Sequence, residues 1–314
     1  MKLPGRLVLL LRYIIKRVLM GVAALFLVVV ITFFLMNLVP GGPFEFEKAI
    51  NPAAKAALEA KYGLDKPLPE QFVSYLTSAL KGDFGPSIKQ RGREVIDIIT
   101  TKFVVSARLC GITVVVALAF CIPLGCIAAI RRGKWVDNLV RVIATLGIAI
   151  PGFVLCTITL YIFCINLQWL TSNGLSTPAN YILPVFCLAF YPTAYIARMM
   201  RATMLDTLEQ DYVRTARSKG VANRKVIFKH ALRNAILPIV TYLGPMMAFM
   251  MTGNFVVEQV FVIPGLGKEF ISSIMNRDYT MIMGTTIFLA AILITLNVIV
   301  DVAYKVIDPR ITLD

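Results

Sequence analysis

Between Asp206 and Pro238 the chain reads DTLEQDYVRTARSKGVANRKVIFKHALRNAILP, and its charges suit one kind of chemistry, the noncovalent docking of another protein. Acids fill the first turns (Asp206, Glu209, Asp211) and cations follow (Arg214, Arg217, Lys219). That order complements a helix dipole at both ends, and Gly220 stands where a left-handed closing residue is wanted. Asn223 is a good N-cap for a second short helix that would carry Arg224, Lys225 and Lys229 on its wet side. Leu208, Tyr212 and Ala216 fall at i, i+4 and i+8, a single narrow stripe. The plainer reading of the same segment is a solvated, positively charged loop of a membrane protein.

Bond-breaking chemistry finds no candidates. His230 is the sole histidine, so no histidine-cluster metal site can form. All six cysteines (Cys110, Cys121, Cys126, Cys156, Cys164, Cys187) lie in apolar runs without pairing or metal spacing and read as packing residues. No apolar run carries a charge near its centre. Asp301, towards the inner end of the last run, has Lys305 one turn later as a neutralising partner. Titratable groups for proton or sodium coupling are thus missing. A phosphate-binding G-x-x-x-x-G-K-[ST] string is missing too; Pro264-Gly265-Leu266-Gly267-Lys268-Glu269 comes nearest. The chain is expected to be no enzyme, to hold no metal or cofactor, and to take its energy from elsewhere.

The elements that position the basic segment are membrane spans. Of 314 residues 58% are hydrophobic, more than the 45–50% or so of an average soluble domain. The expected class is all-α and polytopic, with six transmembrane helices at 18–39, 106–130, 142–167, 181–197, 234–257 and 279–304, each long enough for about 30 Å of hydrocarbon. Residues 142–197 are uncharged throughout, and QWLTSNGLSTPAN at 168–180 splits them in two. Residues 1–17 carry five basic groups and no acid, loop 131–141 four and one, and loop 198–233 nine and three. These segments account for the whole net charge of +14. By the positive-inside rule they lie in the cytoplasm, together with the tail 305–314 and both termini. The charge reports topology, and no nucleic-acid partner is read in it.

On the outer side, segment 40–105 is too long for a turn. Short helices are expected at Pro52–Tyr62, at Leu68–Lys81 (Phe72, Leu76 and Leu80 at period four) and near Glu94–Phe103, leading into the second span. Loops 168–180 and 258–278 share that side. Pro123, Pro151-Gly152, Pro184, Pro192, Pro238 and Gly244-Pro245 weaken the spans, as in a path that opens and closes or in ordinary membrane packing.

At this point the chain resembles the integral-membrane permease subunit of bacterial ABC importers for peptides, the oligopeptide/dipeptide B-type. The resemblance covers essentially the full length. RTARSKG at 214–220 followed by HALRNAILP is similar to that family's ATPase-coupling loop. LVPGGPFE after the first span, KGDFGPS at 81–87, VVEQVFVIPGLGKEF at 256–270, NRDYT at 276–280 and IDPRI at 307–311 match in order and spacing. The GGPF and GDFGPS strings look closer to oligopeptide than to dipeptide permeases. One departure stands out. The general loop reads Glu-Ala-Ala, three residues, Gly, nine residues, Ile-x-Leu-Pro. Here Arg214, Thr215 and Ala216 occupy the first positions and His230, Ala231, Leu232 and Arg233 the last, so glutamate and proline are missing while Ala216, Gly220 and Leu232 carry over.

The resemblance implies a type I ABC importer permease fold in the bacterial cytoplasmic membrane. It also implies a second homologous permease, two cytoplasmic ATPases that bind ATP and magnesium, and a periplasmic or lipid-anchored peptide-binding protein. Leu208, Asp211, Tyr212, Arg214, Thr215, Ala216, Arg217, Lys219, Gly220 and Leu232 would form the coupling site. Met246, Phe249, Met250 and Asn254 would face the lumen. Alternatives are the same architecture serving a dipeptide, a nickel chelate or an antimicrobial peptide, and an autonomous secondary transporter or channel.

Overall fold

The computed structural model describes residues 3–38, 42, 44, 56, 60 and 63–307, with side chains from Arg12 to Val302. Most of the LVPGGPFE string and of the Pro52–Tyr62 helix, the Lys305 side chain and the IDPRI tail after Ile307 lie outside these. Among the described residues the chain is helical, with one isolated bridge between Pro86 and Glu94. In order come α1 (Leu3–Leu38), α2 (Leu68–Leu80), α3 (Val95–Ile130), α4 (Trp135–Ala149), α5 (Gly152–Leu160) and α6 (Ile182–Leu208). Then follow α7 (Asp211–Ser218), α8 (Asn223–Lys225), a π-turn at Val226–Ala231 and α9 (Leu232–Ala235). α10 (Leu237–Gly253), α11 (Phe255–Val260), α12 (Leu266–Asn276) and α13 (Tyr279–Ile307) complete the set.

Arg12–Leu38, Val95–Ile130, Pro178–Leu208, Leu237–Val260 and Tyr279–Val302 are long and apolar enough to cross a membrane. The sixth span expected at 142–167 is not one straight helix. It is α4 and a segment ending at Asn166, bent by 100° across Ile150 and Pro151. Pro151 lacks the N–H that would continue the ladder, and Ile150 before it is extended (ψ 120°), as proline demands of its predecessor. Pro123, Pro192 and Pro245 by contrast stay inside continuous helices. The second span is longer than expected, since α3 starts at Val95 and absorbs the short helix read at Glu94–Phe103.

The chain forms two compact units, Met1–Val105 with Pro264–Val298, and Ser106–Ile263 with Ile299–Asp314. In the first, Phe72 of α2 lies against Phe33 and Phe34 of α1, at 5.2 and 5.8 Å between ring centroids. Leu80, read on the same apolar row, is instead 81% exposed. Val95, Ile98, Ile99 and Met281 are fully buried.

In the second unit Cys121, Met200, Met204, Ala235, Ile239, Met246 and Met250 share one core cluster. There α3 and α6 approach so closely that a Cβ on Gly125 would lie 2.6 Å from Met200 Cβ and 2.7 Å from the Ala197 carbonyl oxygen. A backbone oxygen cannot rotate away, so a side chain here forces the helices apart. Gly125→Val is expected to cost about 1–3 kcal/mol and lower the thermal midpoint of the purified protein. Gly111→Ala, where nothing lies within 4 Å of the added Cβ, should leave the midpoint unchanged or slightly raised.

Candidate functional site

The basic segment hangs from the end of α6 through a two-residue break. α6 stops at Leu208; Glu209 and Gln210 interrupt the ladder, and the extended Gln210 (ψ 148°) offers its carbonyl to the N–H groups of Val213 and Arg214. α7 then runs from Asp211, an acid in the first turn, to Arg217 in the last, which suits its dipole. Its end is a Schellman closure. Gly220 takes φ +75° and donates its N–H to the Arg217 carbonyl (2.9 Å), while Val221 donates to the Ala216 carbonyl (3.2 Å).

The break changes which face is buried. Val213, Ala216 and Val226 pack together, with Leu208 and Val221 against them. Tyr212, read as part of the apolar stripe, is exposed, and its hydroxyl accepts a 2.7 Å hydrogen bond from Asn234 Nδ2. Asn223 is the first residue of α8 and makes no side-chain cap; Ala222 precedes it in the cap position. Arg214, Thr215, Arg217, Lys219, Arg224, Lys225 and Lys229 are all exposed, so six cations of this segment stand in solvent. Leu232 is half-buried against the core cluster. Arg214 lies 3.9 Å from Asp211, both well exposed, and that contact adds little to stability.

Two residues that the sequence reading passed over tie α4 to α6, the helix from which this segment hangs. Asp137 on α4, 1% exposed, takes a two-pronged ion pair from Arg201 on α6, Nε to Oδ1 at 2.5 Å and Nη2 to Oδ2 at 2.8 Å. It also accepts the Gly133 N–H at 2.9 Å. Nearby, the exposed Arg132 and Glu209 pair at 2.8 Å. Thr203 of α6 donates to the Ala235 carbonyl at 2.9 Å, tying α9 to α6. A sequence signal existed for Asp137, the lone acid in a loop of four cations.

Of the lumen candidates, Met246 and Met250 sit inside the core cluster of their own unit, and Asn254 is 4% exposed. The Asn254 Nδ2 has no partner among the described residues. Phe249 alone presents its side chain, 72% exposed.

In the first unit the strings KGDFGPS, GLGKEF and NRDYT meet. Asp278, 2% exposed, accepts from the Ser87 hydroxyl, from Thr280 Oγ1 (3.0 Å), and from the N–H groups of Ile88 (3.2 Å), Lys89 (3.3 Å) and Met281 (3.2 Å). Gln90 donates to Glu269 at 2.5 Å. A carboxylate circled by donors fixes the turn at 85–90 on the start of α13. Asp278→Asn turns one acceptor into a donor facing other donors. The expected cost is about 2 kcal/mol, read as faster amide exchange at 85–90 with the fold retained. In the second unit Ser106 donates to the wholly buried Glu258 at 2.5 Å, a contact no loop reading of 258–278 foresaw.

Comparison with known proteins adds three findings. The family described as binding-protein-dependent transport system inner membrane component matches residues 121–313, and its N-terminal companion matches residues 10–109. The dipeptide transport system permease protein DppB of Bacillus subtilis is 44% identical over 302 residues, 96% of this chain and 98% of that protein. The oligopeptide transport system permease proteins OppB of Haemophilus influenzae and Escherichia coli (strain K12) are 40% and 39% identical, each over 96% of this chain and 99% of the relative. A chain from a structure of the inward-facing MetNI methionine ABC transporter shares the fold. Its TM-score is 0.50 at 16% identity, over 65% of this chain and 95% of that one.

Proposed function

The chain belongs to the family of binding-protein-dependent transport system inner membrane components, and we propose that it is the permease subunit of an ATP-driven importer of peptides, oligopeptides above all. The observation that carries this is the near-full-length likeness to permeases named for dipeptide and oligopeptide transport. It sits in the inner membrane as a multi-pass protein. A second, homologous permease completes the pathway. Two ATPase subunits on the cytoplasmic side bind ATP and magnesium, and an external binding protein delivers the peptide. The exposed Phe249 lies on the pathway side; Met246, Met250 and Asn254 support it from behind.

The coupling site is α7 with its closing turn, in the roles assigned to Leu208, Asp211, Tyr212, Arg214, Thr215, Ala216, Arg217, Lys219, Gly220 and Leu232. ATP binding draws the two ATPases together and displaces α7. Its buried face (Val213, Ala216) packs with Leu208 at the end of α6, so the displacement passes to that helix. Asp137 and Arg201 relay it to α4, and the membrane helices rock between inward- and outward-open states.

Uptake of a labelled pentapeptide into proteoliposomes holding the chain with a second permease, both ATPases and the binding protein should require ATP. Equal uptake by this chain alone without nucleotide overturns the reading. For orientation, a cysteine at Lys81 is expected to react with an impermeant thiol reagent from outside intact cells and one at Ala222 only after permeabilisation. Five of the six native thiols are buried and one is half-buried, which keeps the background low. The reverse pattern would invert the topology.

A further inference from the structure

We propose that the apolar groove between α3, α4 and α6, about 500 Å³ in volume, holds one acyl chain of a membrane phospholipid with a net negative head, and that Arg108 takes its phosphate. The inference rests on the chain's lying in a membrane and not on what it transports, so its failure would leave peptide import untouched.

The groove is open and its edges are within reach of lipid. Ile112 and Phe120 of α3, Ile143 of α4, and Ile182 and Phe186 of α6 rim it, each between 38% and 60% exposed. Buried alanines, Ala189, Ala194 and Ala197, pave the floor, and no lining residue is charged. After the 100° bend at Pro151, α5 contributes no residue to the lining, so the rest of the third expected span does not fill the groove. The lining runs about 18 Å along α3, from Ile112 to Leu124, and about 22 Å along α6, from Ile182 to Ala197. An extended acyl chain matches that length, whereas a helix of a partner subunit must cross about 30 Å.

The polar end of the site adjoins this groove. A second depression, of about 440 Å³, shares Ile112 and Tyr181 with it and adds Arg108, Ser176 and Thr177, all three exposed. Arg108 has no ion pair or hydrogen bond among the described residues. Residues 109–130 carry no charge and rise about 33 Å as a helix, close to the thickness of the hydrocarbon, so Arg108 stands at the level of the headgroups. The loop opposite it is held in place by the buried Asn180, which accepts from Thr171 Oγ1 at 2.9 Å and donates to Ser176 Oγ at 3.1 Å. The Ser176 proton is left for another acceptor. A guanidinium can give a phosphate two parallel N–H bonds. No acid lines either depression, so the ammonium of a zwitterionic head would find no counter-charge.

The test uses the full-length chain assembled with its partner subunits in dodecyl maltoside. Phosphatidylglycerol carrying a diazirine midway along one acyl chain is added in limiting amount, and the labelled peptides are mapped by mass spectrometry. Label is expected on residues 112–124 and 182–197. Arg108→Gln should lower it about tenfold, the effect of one lost charged hydrogen bond, and Arg108→Lys should keep more of it. Ile112→Trp, at the junction of the two depressions, should lower it at least as much by blocking the way between head and chain. Phosphatidylcholine with the same chain should label several-fold less. Equal labelling of wild type and of either Arg108→Gln or Ile112→Trp would overturn the proposal, as would equal labelling by phosphatidylcholine or displacement of the label by inorganic phosphate. Absence of label from both stretches, the result if a partner's helix fills the groove, would overturn it too. Should Arg108→Gln not yield monodisperse protein, Ile112→Trp carries the test.

Discussion

Reversing two charges, Arg214→Glu with Arg217→Glu, is expected to leave the chain inserted and folded while abolishing copurification of the ATPases and ATP-dependent uptake. Both side chains are exposed and Val213 and Ala216 still bury their face, so the fold loses little. Placing an acid at 217, in the last turn of α7, costs about 0.3–1 kcal/mol through the helix dipole, too little to unfold a packed element. Across an interface, charge pairs are worth about 1.5 kcal/mol or more each, so two reversals weaken docking by roughly a hundredfold. The neutral control, Arg214→Gln with Arg217→Gln, should weaken it less and flatten its salt dependence. Gly220→Pro reaches the same end by another route. Proline cannot adopt φ +75° and lacks the N–H given to the Arg217 carbonyl, so the Schellman closure opens and α7 loses its angle. Full ATPase recovery and normal uptake in both variants would remove the coupling assignment.

How far the sequence revealed this surface can be followed residue by residue. The stop at Gly220 was legible because glycine, a basic last turn and a following apolar residue form a local signal, and closure needs nothing beyond residues 216–221. The buried face was not. The 208/212/216 stripe assumes one helix through the segment, whereas the break at Glu209 and Gln210 restarts the phase, moving Val213 inside and Tyr212 out. Five of the six expected spans, legible from uncharged length alone, are single apolar helices long enough to cross a membrane, and the sixth counts only if the bent pair is one span. The 100° bend at Pro151 was not legible, because prolines at 123, 192 and 245 sit in comparable apolar runs without bending their helices to that degree. No local signal separates them, since every one of these prolines lacks the N–H of an interior helix residue. Glu258 and Asp278 were read as loop acids for the same reason. Their donors arrive from residues far away in the chain, Ser106 and Ser87.

The pair Asp137 and Arg201 leads to the largest expected loss of stability. Arg201→Leu leaves a carboxylate that is 1% exposed with only the Gly133 N–H and a distant Arg141, 3.9 Å away and half in solvent. Removing one partner of a buried pair costs about 3–5 kcal/mol, since the remaining charge has lost both its water and its counter-ion. For a chain of marginal stability, that loss should appear as a thermal midpoint many degrees lower and as poor recovery from the membrane. Asp137→Leu should cost less, because Arg201 is 21% exposed and its long side chain can reach water. The informative variant is the double one, Asp137→Leu with Arg201→Leu. If the pair serves only to hold α4 on α6, an apolar pair restores most of the stability and the transport with it. If it relays motion from α7, stability returns while ATP hydrolysis runs without peptide uptake, because an apolar contact lets α4 and α6 slide where a two-pronged ion pair fixes their register. Recovery of stability and coupled uptake together would confine Asp137 and Arg201 to a structural tie and leave the relay to the Thr203–Ala235 contact.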